Sequence, residues 1–184
     1  MELLCLDFIN SEFRDFRGRW VREELSRPEW LESFLKRWHL NIELPFDTLI
    51  LDDLVALRKR LFHIVEGLVC GSEPLVEDIA VLNELLNRTS FFSQIVINEQ
   101  NYYMVPTPIV RDWNWIQCEI ISSFLSLLAS YDRRRLKICA NACCLYVFYD
   151  ETKNRNQRFC NIDKCANLVK MRRFHARQKR MKVI

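Results

Sequence analysis

Glycine is scarce in this chain: Gly18, Gly67 and Gly71 are the only three among 184 residues. A phosphate-cradling loop needs several glycines within one turn, so the nucleotide-binding loops are excluded. Neither H-E-x-x-H nor G-x-S-x-G occurs, which removes the common metalloprotease and hydrolase signatures. Acidic pairs such as Glu23-Glu24 and Asp52-Asp53 read as solvated helix faces, so the chain is expected not to be an enzyme. Long apolar runs are missing too. The longest, Trp113 to Ala129, is interrupted by Gln117, Glu119 and serines and reads as a buried helix; no membrane partner is expected. The N-terminus has Glu2 and Asp7 where an export signal needs a cationic start and an apolar run. A cytoplasmic location with reduced thiols is therefore expected.

Cysteine, by contrast, is plentiful, with eight residues. Cys5, Cys70 and Cys118 stand singly in apolar contexts and are expected as buried core thiols. Four others form two matched pairs, Cys139-x4-Cys144 and Cys160-x4-Cys165, separated by fifteen residues. In a reducing compartment such pairs are metal ligands rather than disulfides. Four thiolates close a tetrahedral structural zinc site and leave no open position for catalysis. Cys143 would give a C-x3-C in place of C-x4-C, and the matching spacing favours Cys144. His175, ten residues past Cys165, is an alternative ligand that reads better as an exposed histidine. His39 and His63 lie in helix-like apolar contexts and are expected to be structural.

The composition is that of a folded chain, 49% hydrophobic and 28% charged. Its net charge of +3 conceals an asymmetry. Residues 132–184 hold 15 Lys+Arg against 4 Asp+Glu, a net of +11, and residues 1–131 hold 12 against 20, a net of −8. Two modules are expected, 1–131 and 132–184, with Asp132-Arg133-Arg134-Arg135 as hinge. The cationic tail suits a polyanion. Lys164, Lys170, Arg172, Arg173, Arg177, Lys179 and Arg180 spread over about five helical turns and are the candidate DNA contacts. Docking on a protein, including the acidic body of this chain, is the opposing reading.

The fold class expected is α+β, mainly α. Leu3–Phe16 is read as helical. Pro28 to Trp38 gives a short amphipathic helix with proline in its first turn. Pro45 and Asp47 punctuate, Asp47 as an N-cap. Leu51 to Val69 repeats apolar residues at three, four and seven, with Gly71 as C-cap and Pro74 beyond it. A helix over 75–87 follows. Phe91–Ile97 and Tyr102–Val105 flank a polar turn and predict a hairpin closed by Pro106 and Pro108. A helix over 109–131 completes the body. In the tail, Cys139 and Cys144 form a knuckle, Leu145–Tyr149 pairs with Gln157–Phe159, and Cys165 sits in the first turn of a basic helix. That order looks like a treble-clef zinc finger.

The tail resembles the CGNR zinc finger family through Cys139-Ala-Asn-Ala-Cys-Cys144-Leu-Tyr-Val-Phe-Tyr-Asp150, Arg158-Phe-Cys160 and Cys165-Ala-Asn167-Leu. Leu4-Cys5-Leu6-Asp7-Phe8-Ile9-Asn10 and Leu82-Asn83-Glu84-Leu85-Leu86 resemble the ABATE domain that usually precedes that finger. The resemblance spans nearly the whole chain. It implies that Cys139, Cys144, Cys160 and Cys165 hold Zn2+ and that the finger contacts DNA, since members are regarded as candidate stress-induced bacterial transcription regulators. The name-giving Cys-Gly-Asn-Arg reads Cys165-Ala166-Asn167-Leu168 here, so the family arginine is absent. Phe159 replaces a tryptophan, and Ala142-Cys143 replaces a common Pro-Asp. A homodimer, or a small-molecule effector on the apolar and aromatic surface of the N-terminal part, is a further expectation.

Overall fold

Residues 2–42, 48–98 and 101–181 are described in a computed structural model, with side chains to Lys179. Helix periodicity builds the centre. In α3, Thr48–Val69, the buried residues Leu54, Leu57, Leu61, Ile64 and Val65 recur at three and four, so one face turns inward. It packs with α1, Leu4–Ile9, and α5, Trp113–Ser130, whose buried run from Trp113 to Leu127 fills the middle of the core. Asp112 caps α5, its carboxylate accepting from the Trp115 N–H at 2.9 Å. Helices α2, Pro28–Arg37, and α4, Val76–Leu86, close the sides. Gly71, at φ +85, ends α3 in the left-handed region, with the Ser72 N–H donating to Gly67 O at 2.9 Å. The fold is α+β, as expected. No helix among the described residues is long and apolar enough to cross a membrane.

Three antiparallel hairpins complete the architecture among the described residues. The expected helix over 3–16 stops at Ile9. The chain turns into β1, Glu12–Arg14, paired with β2, Val21–Glu23, around Gly18 at φ +80. Strands of three residues are too short to show alternation, so this hairpin left no sequence signal. Glu23 and Glu24 are therefore not on a solvated helix. Glu23 binds the buried Arg58 of α3, one bond at 2.5 Å, and buried Glu24 holds Arg22 at 2.5 Å and Arg27 at 3.0 Å.

The expected hairpin is present and longer: β3, Phe91–Asn98, and β4, Asn101–Pro108, pair with Ile95 opposite Met104. Pro106 and Pro108 lie within β4 rather than beyond it, which an edge strand tolerates. That extension delays α5 to Trp113, against the expected Ile109. The third hairpin, β5, Leu136–Ile138, with β6, Val147–Tyr149, differs from the reading. Tyr149 pairs with Leu136, and residues 157–159 form no strand. The two-cysteine knuckle is thus the turn of the hairpin and does not precede it.

Single residues also depart from expectation. Cys5 and Cys118 are buried, but Cys70 is exposed at the end of α3. Burial raises the Cys5 thiol above its ordinary range. His63 is exposed, and His39, also exposed, adopts φ 54 just beyond α2. Neither is a core histidine. Pro45 and Asp47 lie outside the described residues.

Candidate metal centre and basic helix

The centre is assembled from the end of β5 outward. The Cys139 N–H donates to Tyr146 O at 2.9 Å, and the Cys144 N–H donates to Asn141 O at 2.8 Å. Leu145 at φ 53 then reverses the chain into β6. These bonds aim Cys139 and Cys144 toward the same point. Cys160 comes from the loop after β6, where the Ala140 N–H donates to Arg158 O at 2.8 Å. Cys165 comes from a wide turn, Ile162–Ala166, whose Cys165 and Ala166 N–H groups both donate to Asn161 O, at 3.1 and 3.2 Å. Asn161 also caps that turn, its side chain accepting from the Lys164 N–H at 2.8 Å. Helix α6, Asn167–Met181, follows directly.

The four sulfurs of Cys139, Cys144, Cys160 and Cys165 lie within 4.8 Å of one another. Cys144 and Cys160 Sγ are 3.6 Å apart, and Cys160 and Cys165 Sγ are 3.9 Å apart. A tetrahedron with zinc–sulfur bonds of about 2.3 Å has edges of about 3.8 Å. A disulfide needs about 2.05 Å, and all eight cysteines are free. The donor set therefore fits a tetrathiolate ion site.

Sulfurs at these distances also perturb one another's protonation. Hydrogen bonds from Cys144 and Cys160 hold the Cys139 thiol down to about 2. The bond to Cys139 pushes Cys144 up to about 12, and bonds to Cys139 and Cys144 raise Cys160 well above its ordinary range. Sulfurs this close share protons, because adjacent thiolates repel. A dication removes that conflict by letting every ligand ionise.

Around the sulfurs runs a polar frame that the cysteine pattern alone did not reveal. Asp150 is fully buried. Burial alone would raise its pKa, but the Lys137 ammonium, the Thr152 hydroxyl and the Thr152 and Gln157 N–H groups hold it well below the carboxylate range. Lys137 Nζ donates to Asp150 Oδ2 at 2.6 Å, Arg155 O at 2.6 Å and Gln157 O at 3.1 Å. The pair thereby pegs the loop that delivers Cys160. Asn141 Nδ2 donates to Phe16 O at 2.7 Å and lies 3.5 Å from Cys165 Sγ. Asn10 exchanges two 2.8 Å bonds with the Val147 backbone. The finger is thus seated on the body, and Leu136 and Val147 belong to the main core.

Cys143 stands outside the sulfur group. A Cβ added to Gly18 would meet its Sγ at 2.9 Å, so the turn of β1–β2 touches the finger where only glycine fits. Arg172 Nη1 is 3.8 Å from that sulfur, and its Nη2 donates to Arg17 O at 3.1 Å. His175 is exposed on α6 with its ring 5.8 Å from Phe174, away from the group.

The predicted basic residues divide by face. Lys170, Arg173 and Arg177 recur at three and four and share one side of α6, while Arg172 is about 200° round from Lys170 and meets the body. Lys164, Lys170, Arg173, Arg177 and Lys179 are exposed. No ion pair involving them is formed among the described residues. The Arg180 side chain and Lys182 lie outside the described residues.

Two family models match this chain. The ABATE model, described as "Putative stress-induced transcription regulator", matches residues 2–106. The CGNR zinc finger model matches residues 135–178. No curated protein matches the chain. With more than half its length covered by the first model and the sulfur cluster inside the second, the chain belongs to the ABATE family and carries a CGNR zinc finger.

Proposed function

We propose that this protein is a cytoplasmic bacterial transcription regulator. In this reading residues 132–184 bind DNA, carried on the body of residues 1–131, and Cys139, Cys144, Cys160 and Cys165 hold a structural zinc ion. The ion would neutralise the thiolates and cross-link the two knuckles. The observation that supports DNA binding is the outward face of α6, where Lys170, Arg173 and Arg177 are exposed and unpaired with any described carboxylate. Beside a body of net −8, these cations are not neutralised by any carboxylate among the described residues. Phosphates are the ligands that would release counterions on meeting them.

The test is fluorescence anisotropy of zinc-loaded protein on a labelled promoter-length duplex across a salt series. The logarithm of affinity is expected to fall linearly with that of salt, by about 0.9 per phosphate contacted. Lys170→Gln with Arg173→Gln and Arg177→Gln should flatten the slope by about 2 to 3. Absence of binding at about 50 mM salt to promoter and bulk DNA alike removes the reading.

One observation favours a second reading for part of the helix. Arg172 is spent on the Arg17 carbonyl, as in a finger that clips onto its own body. In that case the Arg172→Gln variant would lose stability and keep the salt slope.

A further inference from the structure

Between the β1–β2 hairpin, the middle of α3 and the finger lies a cleft of about 710 Å³. That volume is in the range of small-molecule sites, which favour junctions between parts of a fold. Phe13 and Trp20 line the hairpin side, stacked at 5.8 Å and 27°. They are 42% and 43% exposed, so part of each ring stays open to solvent. Arg22 lies 5.6 and 5.5 Å from the two ring centres and holds the rings in place. Phe62 of α3 and Tyr146 of the finger supply further aromatic lining.

The charges in the lining mostly cancel in pairs. Arg14 binds Glu12, Arg19 binds Asp15 at 2.6 Å, and Arg58 binds Glu23 and lies 3.6 Å from Glu12. Two cations remain, Lys59 from α3 and Lys164 from the finger; both are exposed and form no ion pair among the described residues. Cys144, Cys160 and Cys165 also border the cleft, but they are half-buried or buried and their sulfurs are gathered on one another. An apolar aromatic surface with two unanswered ammonium groups selects a flat ring that bears an acid.

We propose that this cleft binds a small planar aromatic acid, its ring against Phe13 and Trp20 and its acid group met by Lys59 and Lys164. Such a ligand touches body and finger together and ties one to the other. The assignment is independent of DNA binding and is read without DNA.

The probe is 2-naphthoate, titrated calorimetrically into the zinc-loaded full chain. One saturable site is expected, with Kd on the order of 0.1 mM for a ligand of about 13 heavy atoms. The neutral 2-naphthylmethanol and the non-aromatic cyclohexanecarboxylate should each bind at least about tenfold more weakly, because each lacks one of the two recognised features. Trp20→Ala, and Lys59→Gln combined with Lys164→Gln, should each weaken naphthoate about tenfold or more. Trp20→Phe keeps a stacking ring and should bind nearly as parent, and Lys36→Gln on α2 should leave binding unchanged. Lys59 lies on an exposed helix position, so the lysine variants test the site even if Trp20→Ala loosens the hairpin. Non-saturable heats, equal binding of the alcohol, or undiminished binding by the lysine double variant would each overturn the proposal.

Discussion

The hairpins β3–β4 and β5–β6 have opposite designs. The first pairs eight residues with eight and carries no charge within either strand, yet Ile95 and Met104, directly opposite each other, are 71% and 75% exposed. Beyond its ladder, side chains add the Thr107–Gln94 bond at 3.2 Å. The second pairs three residues with three, and Val147 is 1% exposed. It is gripped from every side: Asn10 on the Val147 backbone, Lys137 on Asp150, and two of the four sulfurs at its turn. Strand length and β-propensity therefore do not measure how firmly a hairpin is held. An isolated two-stranded ladder is marginal in water, and what covers it decides.

The comparison breaks most violently at the sulfurs. On the proposed zinc reading, Cys160→Ser should release the ion and unfold residues 136–165, because structural zinc contributes its binding energy to folding. Hydrogen exchange would then show β5–β6 unprotected and β3–β4 unchanged. One equivalent of zinc retained by elemental analysis would contradict the ligand assignment.

Next in size is Asp150→Asn, which leaves Lys137 without its buried counter-charge and should cost about 3 kcal/mol at pH 7 in denaturant unfolding. The pKa of Asp150 is lowered in the fold from its ordinary 3.8. Its contribution is therefore complete above that value and fades as pH falls below it. The gap between parent and variant should narrow in that acid range; a constant gap would mean that the charge is not what matters.

The smallest effects come from trimming one side chain in each hairpin. Val147→Ala should cost about 1 to 3 kcal/mol because it empties part of the core. Ile95→Ala should shift stability by about 0.5 kcal/mol or less, as exposed substitutions do. Equal costs would show that β3–β4 is covered in solution.

Much of this was legible beforehand. The four cysteines announced themselves by spacing, and the structure gathers those four and leaves Cys143 aside. Helices α3, α4 and α5 followed from apolar repeats long enough to average out exceptions. The strand pairing in the finger is not legible in the sequence, because Leu136-Lys137-Ile138 is only three residues long and shows no alternation to set it apart. The β1–β2 hairpin is hidden for the same reason. Lys137 and Asp150 were unmarked as a pair, since no local pattern joins residues that meet only when a loop folds back.

Local chemistry written along the chain determined three things: two pairs of sulfur donors, the helical periods of the body, and the segregation of positive charge beyond residue 132. Each depends on spacing between near neighbours, which a linear reading preserves. Tertiary structure alone decided that the knuckle is a hairpin turn, that Gly18 meets Cys143, that Arg172 faces inward while Lys170, Arg173 and Arg177 face out, and that Trp20 and Lys164 border one cleft. The first depends on strands pairing 9 to 13 positions apart, and the others on residues more than a hundred positions apart; their free energy exists only once the chain between them has closed.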